Sequence, residues 1–445
     1  MELPSAIEER RELLSIKKFI TDALNIDPLL IESVDCLESD DESLTVFVRL
    51  KPMESLKCNL CGGPLISNGS YKKKLIHSTF INRSCLIIFD RRRYLCRKCE
   101  ITVSEPNPFA SPGDNVTYET KINVLRDLKE TSFTYTLAAR RNNISPTKVL
   151  QIFDKHVSIS RKPLPEALSI DEHYFPASDF DSLYICILMD FRTGTIVDVL
   201  PDRKKEYLIS YFSGIKNETL DEKTGISELS NVKYVSMDLC DTYKDIALTY
   251  FKGALICADS FHVIEHLVKD FRDVRLRCRR NTKDEDIQYL LVKFKYIFDH
   301  GRELDNKPKY NKRFRRYMNY RDMMNILFER FPVLKKAYQL KESYLHFNET
   351  ANSKNAAELL LEQITAFQDP DIPEYIEFYN LLINWYQEII NSFQLIDGRR
   401  INNSYMESRN SQIEKLFLNA NGFTNFKRTR NRILYCLNKN DTYKI

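Results

Sequence analysis

The sequence contains no apolar run of the roughly 18 residues that a membrane-spanning helix requires. Its opening, MELPSAIEERRELLSIKKF, is charged and has no apolar centre, so it does not read as a secretory signal. Glycine and proline are scarce, at 11 and 16 of 445 residues, and no low-complexity tract occurs, so no long disordered or fibrous segment is expected. An excess of one charge is missing as well. The 66 Lys and Arg face 62 Asp and Glu, and a net charge of +4 does not by itself select a polyanionic partner. The expectation is a cytoplasmic, folded protein with no membrane partner, whose eleven cysteines stay reduced.

Against these absences stand 43% hydrophobic residues, with 24 Tyr and 26 Phe. A chain of 445 residues exceeds a single ordinary core, so two to four domains are expected. Basic residues cluster although the total charge is low. The runs are RRRYLCRKC at 91–99, RDVRLRCRR at 272–280, KPKYNKRFRRYMNYR at 307–321 and FKRTRNRIL at 426–434. Any one of them reads as a solvated face; four, interleaved with Tyr and Phe, favour a polyanion.

Two Cys-x2-Cys pairs, Cys58/Cys61 and Cys96/Cys99, are separated by 34 residues. Each pair can turn two thiolates towards one centre, and four thiolates make a closed tetrahedral zinc site with no open position for water. Gly62 and Gly63 suit the tight turn after the first pair, and the segment between the pairs alternates like strands. A structural zinc ribbon over 51–110 is therefore expected, with Cys85 out of register and in the core. Downstream, TLAARRNNISPTKVLQIFDKH has the form of a helix-turn-helix within 111–160. Leu137 and Ala138 lie on its first helix, and Pro146 opens the second. Thr147 and Lys148 then stand at the start of a recognition helix.

From residue 165 the pattern becomes strand-like, in the order β-β-β-α-β-α-β of an RNase H-like fold. ALSIDEHYF carries Asp171 and Glu172, NVKYVSMDLCDTY carries Asp238 and Asp241, and ADSFHV carries Asp259 and His262. In that fold the first and fourth strands are parallel neighbours about 4.8 Å apart, close enough for Asp171 and Asp238 to share a divalent cation. Asp259, on the fifth strand, would lie roughly 10 Å from the first. Asp238 is therefore preferred as second ligand, with Asp259 and His262 as supporting or DNA-contacting residues. Pleat alternation turns Glu172 to the opposite face, and Asp241 reads as a helix N-cap. Residues 268–400 read as a large all-helical insertion. Beyond it, NSYMESRNSQIEKLFLNANGF is a helix with Glu407, Asn410, Ser411 and Glu414 along one polar stripe. Such a stripe is ordinarily solvated, yet Glu407 is also the candidate third carboxylate.

Taken in order, CNLCGG…RRRYLCRKCEITVSEP, the helix-turn-helix, SIDEHYF, VSMDLCDTY, ADSFHVIEHL, FPVLKKAYQLKESY and NSYMESRNSQIEKLFLNANGFTNFKRTRNRIL resemble the bacterial insertion-sequence DDE transposases of the ISL-three group. The resemblance runs from about residue 55 to 437. It implies a multidomain α+β chain: an N-terminal segment 1–50, the zinc ribbon, the helix-turn-helix domain, and an RNase H-like catalytic domain 161–445 holding the insertion. It also implies Mg²⁺- or Mn²⁺-dependent cleavage of double-stranded DNA at terminal inverted repeats, then strand transfer. Asp171, Asp238 and Glu407 would be the catalytic triad and metal ligands, with Glu414 solvated. A homodimer or higher oligomer on nucleoid-associated DNA is implied too. Ser404 and Ser408 stand where the family commonly has Gly. The alternatives are a domesticated, inactive transposase acting as a DNA-binding regulator, and a metal-dependent structure-specific nuclease.

Overall fold

Strand-forming residues fill Ile66–Phe80 and Arg83–Leu95, which form the longest strands among the described residues and bury Leu75, Ile87 and Phe89. The computed structural model describes residues 18, 21–22, 26–38, 43–53, 56–80, 83–175, 182–299, 306–420 and 423–445. Residues 1–17, which include most of the expected non-signal opening of segment 1–50, lie outside them. The chain divides into two units, residues 1–160 with 412–445, and residues 161–411.

In the first unit, β1 (Ile31–Glu38), β2 (Leu44–Leu50), β3 (Ile66–Phe80) and β4 (Arg83–Leu95) form a sheet in the order β1-β2-β4-β3, and β5 (Thr102–Ser104) pairs with β4. One face buries Val46, Val48, Leu75, Ile87, Phe89 and Cys85, so Cys85 is a core residue as expected. β2 lies parallel to β4, which joins residues 31–50 to the ribbon sheet. That pairing links distant segments and leaves no local pattern, which is why residues 1–50 read as a separate segment. Three helices follow: α1 (Tyr118–Asp127), α2 (Tyr135–Arg141) and α3 (Pro146–His156). Thr134 caps α2, and Ser145 caps α3 ahead of Pro146. Between α2 and α3, Asn143 takes the left-handed conformation (φ 54°) that a tight turn needs.

The second unit is built on β6 (Ala167–Tyr174), β7 (Tyr184–Asp190), β8 (Ile196–Leu200), α4 (Lys205–Thr219), β9 (Tyr234–Met237), α5 (Asp241–Tyr250), β10 (Leu255–Ala258) and α6 (Ser260–Arg280). The sheet order is β10-β9-β6-β7-β8, with β6, β9 and β10 parallel and the β6-β7-β8 meander antiparallel. This is the element order read from the sequence. Leu168, Ile170, Leu188, Val235 and Met237 pack one face against Leu208 and Phe212 of α4 and Tyr243, Ile246 and Ala247 of α5.

The segment 268–400, expected to be an all-helical insertion, is not all helical among its described residues. It contains α7 (Glu285–Lys293), a hairpin of β11 (Lys309–Asn311) and β12 (Arg316–Met318), then α8 (Tyr320–Arg330), α9 (Pro332–Thr350), α10 (Ala356–Phe367), α11 (Ile376–Asn384) and α12 (Tyr386–Asn391). A second hairpin joins β13 (Leu395–Ile396) to β14 (Arg399–Arg400). Its two-residue loop, Asp397-Gly398, has both φ angles positive, 50° and 76°, so the Asp-Gly pair was a readable turn signal. The first hairpin carries no such dipeptide and is fixed by its anchors.

α13 (Ser404–Ala420) and α14 (Phe426–Leu437) complete the chain. α14 packs on the three-helix part of the first unit. Tyr435 donates to the Leu125 carbonyl at 2.8 Å, and Arg432 donates to the carbonyls of Glu130 and Phe133 at 3.0 and 2.7 Å. Arg428 pairs with Asp154 at 2.6 Å. The basic run 426–434 thus spends these arginines on its own unit, and only a remainder such as exposed Lys427 faces solvent. A run read by charge alone looks solvated, because sequence does not show which cations end up on loop carbonyls.

Candidate functional site

The site grows out of the β6/β9 register. Their last paired residues are Ile170 and Met237, and the next residue on each parallel strand is an aspartate, Asp171 and Asp238. Asp171 is buried with Ser169 on its own face, while Glu172 on the opposite face meets Arg203 and the Tyr243 hydroxyl, as alternation requires. Burial first, then the Asp238 charge and a hydrogen bond between the two carboxyls, push Asp171 up to about 8. The Glu172 N–H donates to Asp171 Oδ1 at 2.7 Å and Asn410 Nδ2 donates to Oδ2 at 2.6 Å. Both hold the ring of acceptors in place and act against the upward shift.

Asp238 Oδ1 accepts from His262 Nε2 at 2.9 Å and from Asn403 Nδ2 at 3.3 Å. Burial works against a charged His262, but the hydrogen bond and charge of Asp238, then Asp259 and Asp171, raise it to about 9. Asp259 is 2% exposed, which removes it as a direct DNA contact. It caps α6 by accepting from the Phe261 N–H at 3.3 Å, and its Oδ1 accepts from the Asn403 N–H at 3.3 Å. Burial raises its pKa, and its Oδ2 is buried without a partner. Ligand atoms of Asp238, Asp259 and His262 lie within 4.8 Å of one another. Asp259 follows β10, the neighbour of β9, so it stands one strand spacing from Asp238 and shares a donor cluster with it and His262 that does not include Asp171. Asp241 is the first residue of α5, whose N-cap is Cys240 without a side-chain bond; its carboxylate faces the helix dipole instead of capping it.

Glu407 lies in the first turn of α13 and is exposed. Its own N–H donates to the Asn403 carbonyl at 3.0 Å. Asn403, four residues earlier, reaches Asp238 and also accepts from the Ser236 hydroxyl at 2.7 Å; Asn410, three residues later, reaches Asp171. Residues at that spacing share a helix face. Glu407 thus stands between two side chains that touch the two aspartates, although it is outside the compact donor set. Glu414 is exposed as expected. Asn403 and Asn410 were missed as site residues, Asn410 being read only as part of the polar stripe; the one signal was their i, i+4, i+7 spacing with Glu407.

Can these residues take a divalent cation? Two carboxylates in hydrogen-bond contact, one buried enough to hold a proton near neutrality, repel each other until a proton or a cation enters. The unpartnered Asp259 Oδ2 and Asn410 Oδ1 add oxygen donors of the kind Mg²⁺ and Mn²⁺ prefer. The donor set fits.

The cysteine cluster is separate. Sγ atoms of Cys58, Cys61, Cys96 and Cys99 lie within 4.8 Å of one another, and Cys61 and Cys96 are 3.6 Å apart. That is too long for a disulfide and near the roughly 3.8 Å edge of a Zn–S₄ tetrahedron. The two pairs fold alike: Gly62 and Glu100, each four residues after the leading cysteine, take φ 68° and 57° and donate to the carbonyls of Cys58 and Cys96 at 2.8 Å. The four thiols could hold zinc. In α3, Thr147 is exposed, whereas Lys148 is half-buried and held by Asp114 at 3.3 Å.

A five-stranded mixed sheet that gathers carboxylates beside its parallel strands is an arrangement able to take a divalent cation. The family model DDE_Tnp_ISL3, described as Transposase, matches residues 168–433, more than half of the 445. The chain belongs to this ISL-three-group DDE transposase family, whose members use divalent metal ions and act on DNA. No curated protein matches the sequence. Among the described residues, no helix is long and apolar enough to cross a membrane.

Proposed function

We propose that the chain binds the terminal inverted repeats of an insertion sequence and catalyses DNA cleavage and strand transfer through Asp171, Asp238 and Glu407, with Mg²⁺ or Mn²⁺. The observation that carries this reading is the register placing Asp171 and Asp238 side by side on parallel strands, tied by Asn410 and Asn403 to the helix that bears Glu407. Residues 161–411 then correspond to the RNase H-like domain with its insertion, the four cysteines hold structural Zn²⁺, and α2–α3 dock on duplex DNA as a helix-turn-helix. Two ends must be brought together, so a dimer or larger assembly on DNA is proposed as well.

Divalent cations in such a site activate the attacking oxygen and stabilise the leaving oxygen of an in-line phosphoryl displacement. The chain's residues would prepare for this. Asn410 and the Glu172 N–H orient the Asp171 carboxylate, and His262 with Asn403 orients Asp238. Glu407, free of a buried partner network, can swing its carboxylate over the same face. Asp259 holds Asn403 and the start of α6 in place.

The test is cleavage of end-containing DNA with Mg²⁺, comparing wild type with Glu407→Gln, Asp238→Asn and Asp259→Asn. Glu407→Gln should lose about 10²-fold or more in cleavage while binding DNA normally. Wild-type cleavage by Glu407→Gln would remove the third ligand from this account; full activity in Asp238→Asn with loss in Asp259→Asn would transfer the second role to Asp259.

The Asp171 shift also predicts a pH dependence. With its pKa raised to about 8, the folded protein keeps a proton that the unfolded chain releases at about 4. Stability from this group is complete below about 4 and is lost as pH rises through about 8. A cation must displace that proton, so Mn²⁺ affinity should climb by up to about tenfold per pH unit below about 8 and then level off. Calorimetric titration in two buffers of different ionisation enthalpy measures the proton released. An affinity that is flat with pH, with no proton release, contradicts the assignment.

A further inference from the structure

The hairpin β11–β12 presents a feature that neither the helical packing nor the carboxylate site uses. Its inner side is anchored. Met318 is buried in the helical core, Phe314 packs against the same core, and Asn311 Oδ1 accepts from the N–H groups of Arg313 and Phe314 at 3.0 and 3.3 Å. Arg313 is neutralised by Asp286 and Glu285 and lies over the Tyr289 ring. The outer face is different. Tyr310 and Tyr317 sit directly opposite each other, ring centres 5.5 Å apart, and are 54% and 72% exposed. Core packing does not explain two aromatic rings left in water on a ribbon only three residues long per strand. Around them Lys309, Lys312, Arg315 and Arg316 are exposed, and residues 306–321 contain no acidic side chain.

We propose that this hairpin grips unpaired DNA, with Tyr310 and Tyr317 stacking on bases and the surrounding cations holding phosphates. The occupant follows from chemistry. The charge is complementary to a polyanion. Inside a B-form duplex the faces of the bases are covered by their neighbours, so exposed tyrosine rings find a partner only where bases are unstacked, and ring stacking on bases is tolerant of sequence. The proposal rests on the DNA partner of the proposed function, but it needs no metal and no chemistry.

The experiment uses the full chain with its zinc and without added Mg²⁺ or Mn²⁺, and compares by fluorescence anisotropy a blunt duplex of arbitrary fixed sequence with the same duplex bearing a short single-stranded 3′ extension. Wild type should bind the extended DNA more tightly. Tyr310→Ala/Tyr317→Ala should lose at least about tenfold on the extended DNA and little on the blunt one. Tyr310→Phe/Tyr317→Phe should retain the preference, since the ring is kept. Lys312→Gln/Arg315→Gln/Arg316→Gln should weaken both and reduce the slope of log affinity against log salt by about 2. Unchanged melting temperatures guard against misfolding. Equal losses on both DNAs in the alanine variant, or no loss on either, overturn the proposal. Because cleavage is absent, neither outcome depends on Glu407 or the aspartates; failure of the triad variants to lose cleavage bears only on the catalytic reading.

Discussion

Asp171→Asn should abolish Mg²⁺-dependent DNA cleavage, by about 10³-fold or more, while the metal-free protein melts at the same temperature as wild type or a few degrees higher. The two effects separate because they have different origins. The carboxylate is a charge that a divalent cation needs, and losing one ligand of a shared site costs several kcal/mol of transition-state stabilisation. Without the cation the same carboxylate is a liability: it is buried beside Asp238, and its raised pKa reflects repulsion and desolvation. Asn keeps the shape, its oxygen can still accept from the Glu172 N–H, and its NH₂ can donate to Asn410 once that amide turns its unpartnered Oδ1 inwards, so the fold should not suffer. Asp238→Asn should match the loss of cleavage and should also lower the His262 pKa, since the Asp238 bond and charge are the main groups raising it. Asp259→Asn keeps a good N-cap for α6 and should cost less. Measured together, cleavage rate, melting with and without Mn²⁺, and the His262 titration by NMR distinguish a lost ligand from a lost fold. An inactive Asp171→Asn that melts well below wild type would favour simple destabilisation and contradict the ligand role.

Cys58→Ser/Cys96→Ser should release zinc from a protein that otherwise carries one equivalent per chain, and should weaken binding to element-end DNA by about tenfold or more. One cysteine is removed from each knuckle, so neither remaining half is a tetrahedral site. Structural zinc contributes roughly 10–16 kcal/mol of apparent binding free energy in small zinc domains, as large as the whole stability of an ordinary domain. Here the loss should stay local, because Leu75, Ile87 and Phe89 hold β3 and β4 together through their own core away from the knuckles. Exposed Arg97 and Lys98 belong to the second knuckle and would lose their fixed presentation. Metal analysis, circular dichroism and DNA titration read the three consequences. Retention of a full equivalent of zinc by the double variant, or unchanged DNA binding after its loss, contradicts this account.

Local chemistry made part of the site readable. The cysteine spacing, the Ser145-Pro146 start of α3, and the apolar strand runs that lead into Asp171 and Asp238 all lie in short stretches whose meaning needs no distant partner, although β6 continues past Asp171 to Tyr174 and does not end there. Glu407 could be marked because helix periodicity put it on a polar stripe. Asn403, just before α13, and Asn410, on it, could not be assigned, since an amide looks the same whether it faces water or a carboxylate over 160 residues away along the chain. The hairpin at 309–318 was hidden for a similar reason: its Lys- and Arg-rich run contains no tight-turn dipeptide, and it is fixed by Met318 reaching a core made of residues far along the chain.

The sequence by itself determined the order of elements from β6 to α6, the four thiols and the acids on neighbouring parallel strands, because periodicity, caps and ligand spacing are set by neighbours a few residues apart. Only the tertiary structure decided that β2 joins the sheet of β3 and β4, that Arg428 and Arg432 are turned inwards, that His262 pairs with Asp238, and that two tyrosines are left facing water. Those outcomes depend on which distant surfaces meet. Burial and charge repulsion are properties of the meeting, not of either segment alone.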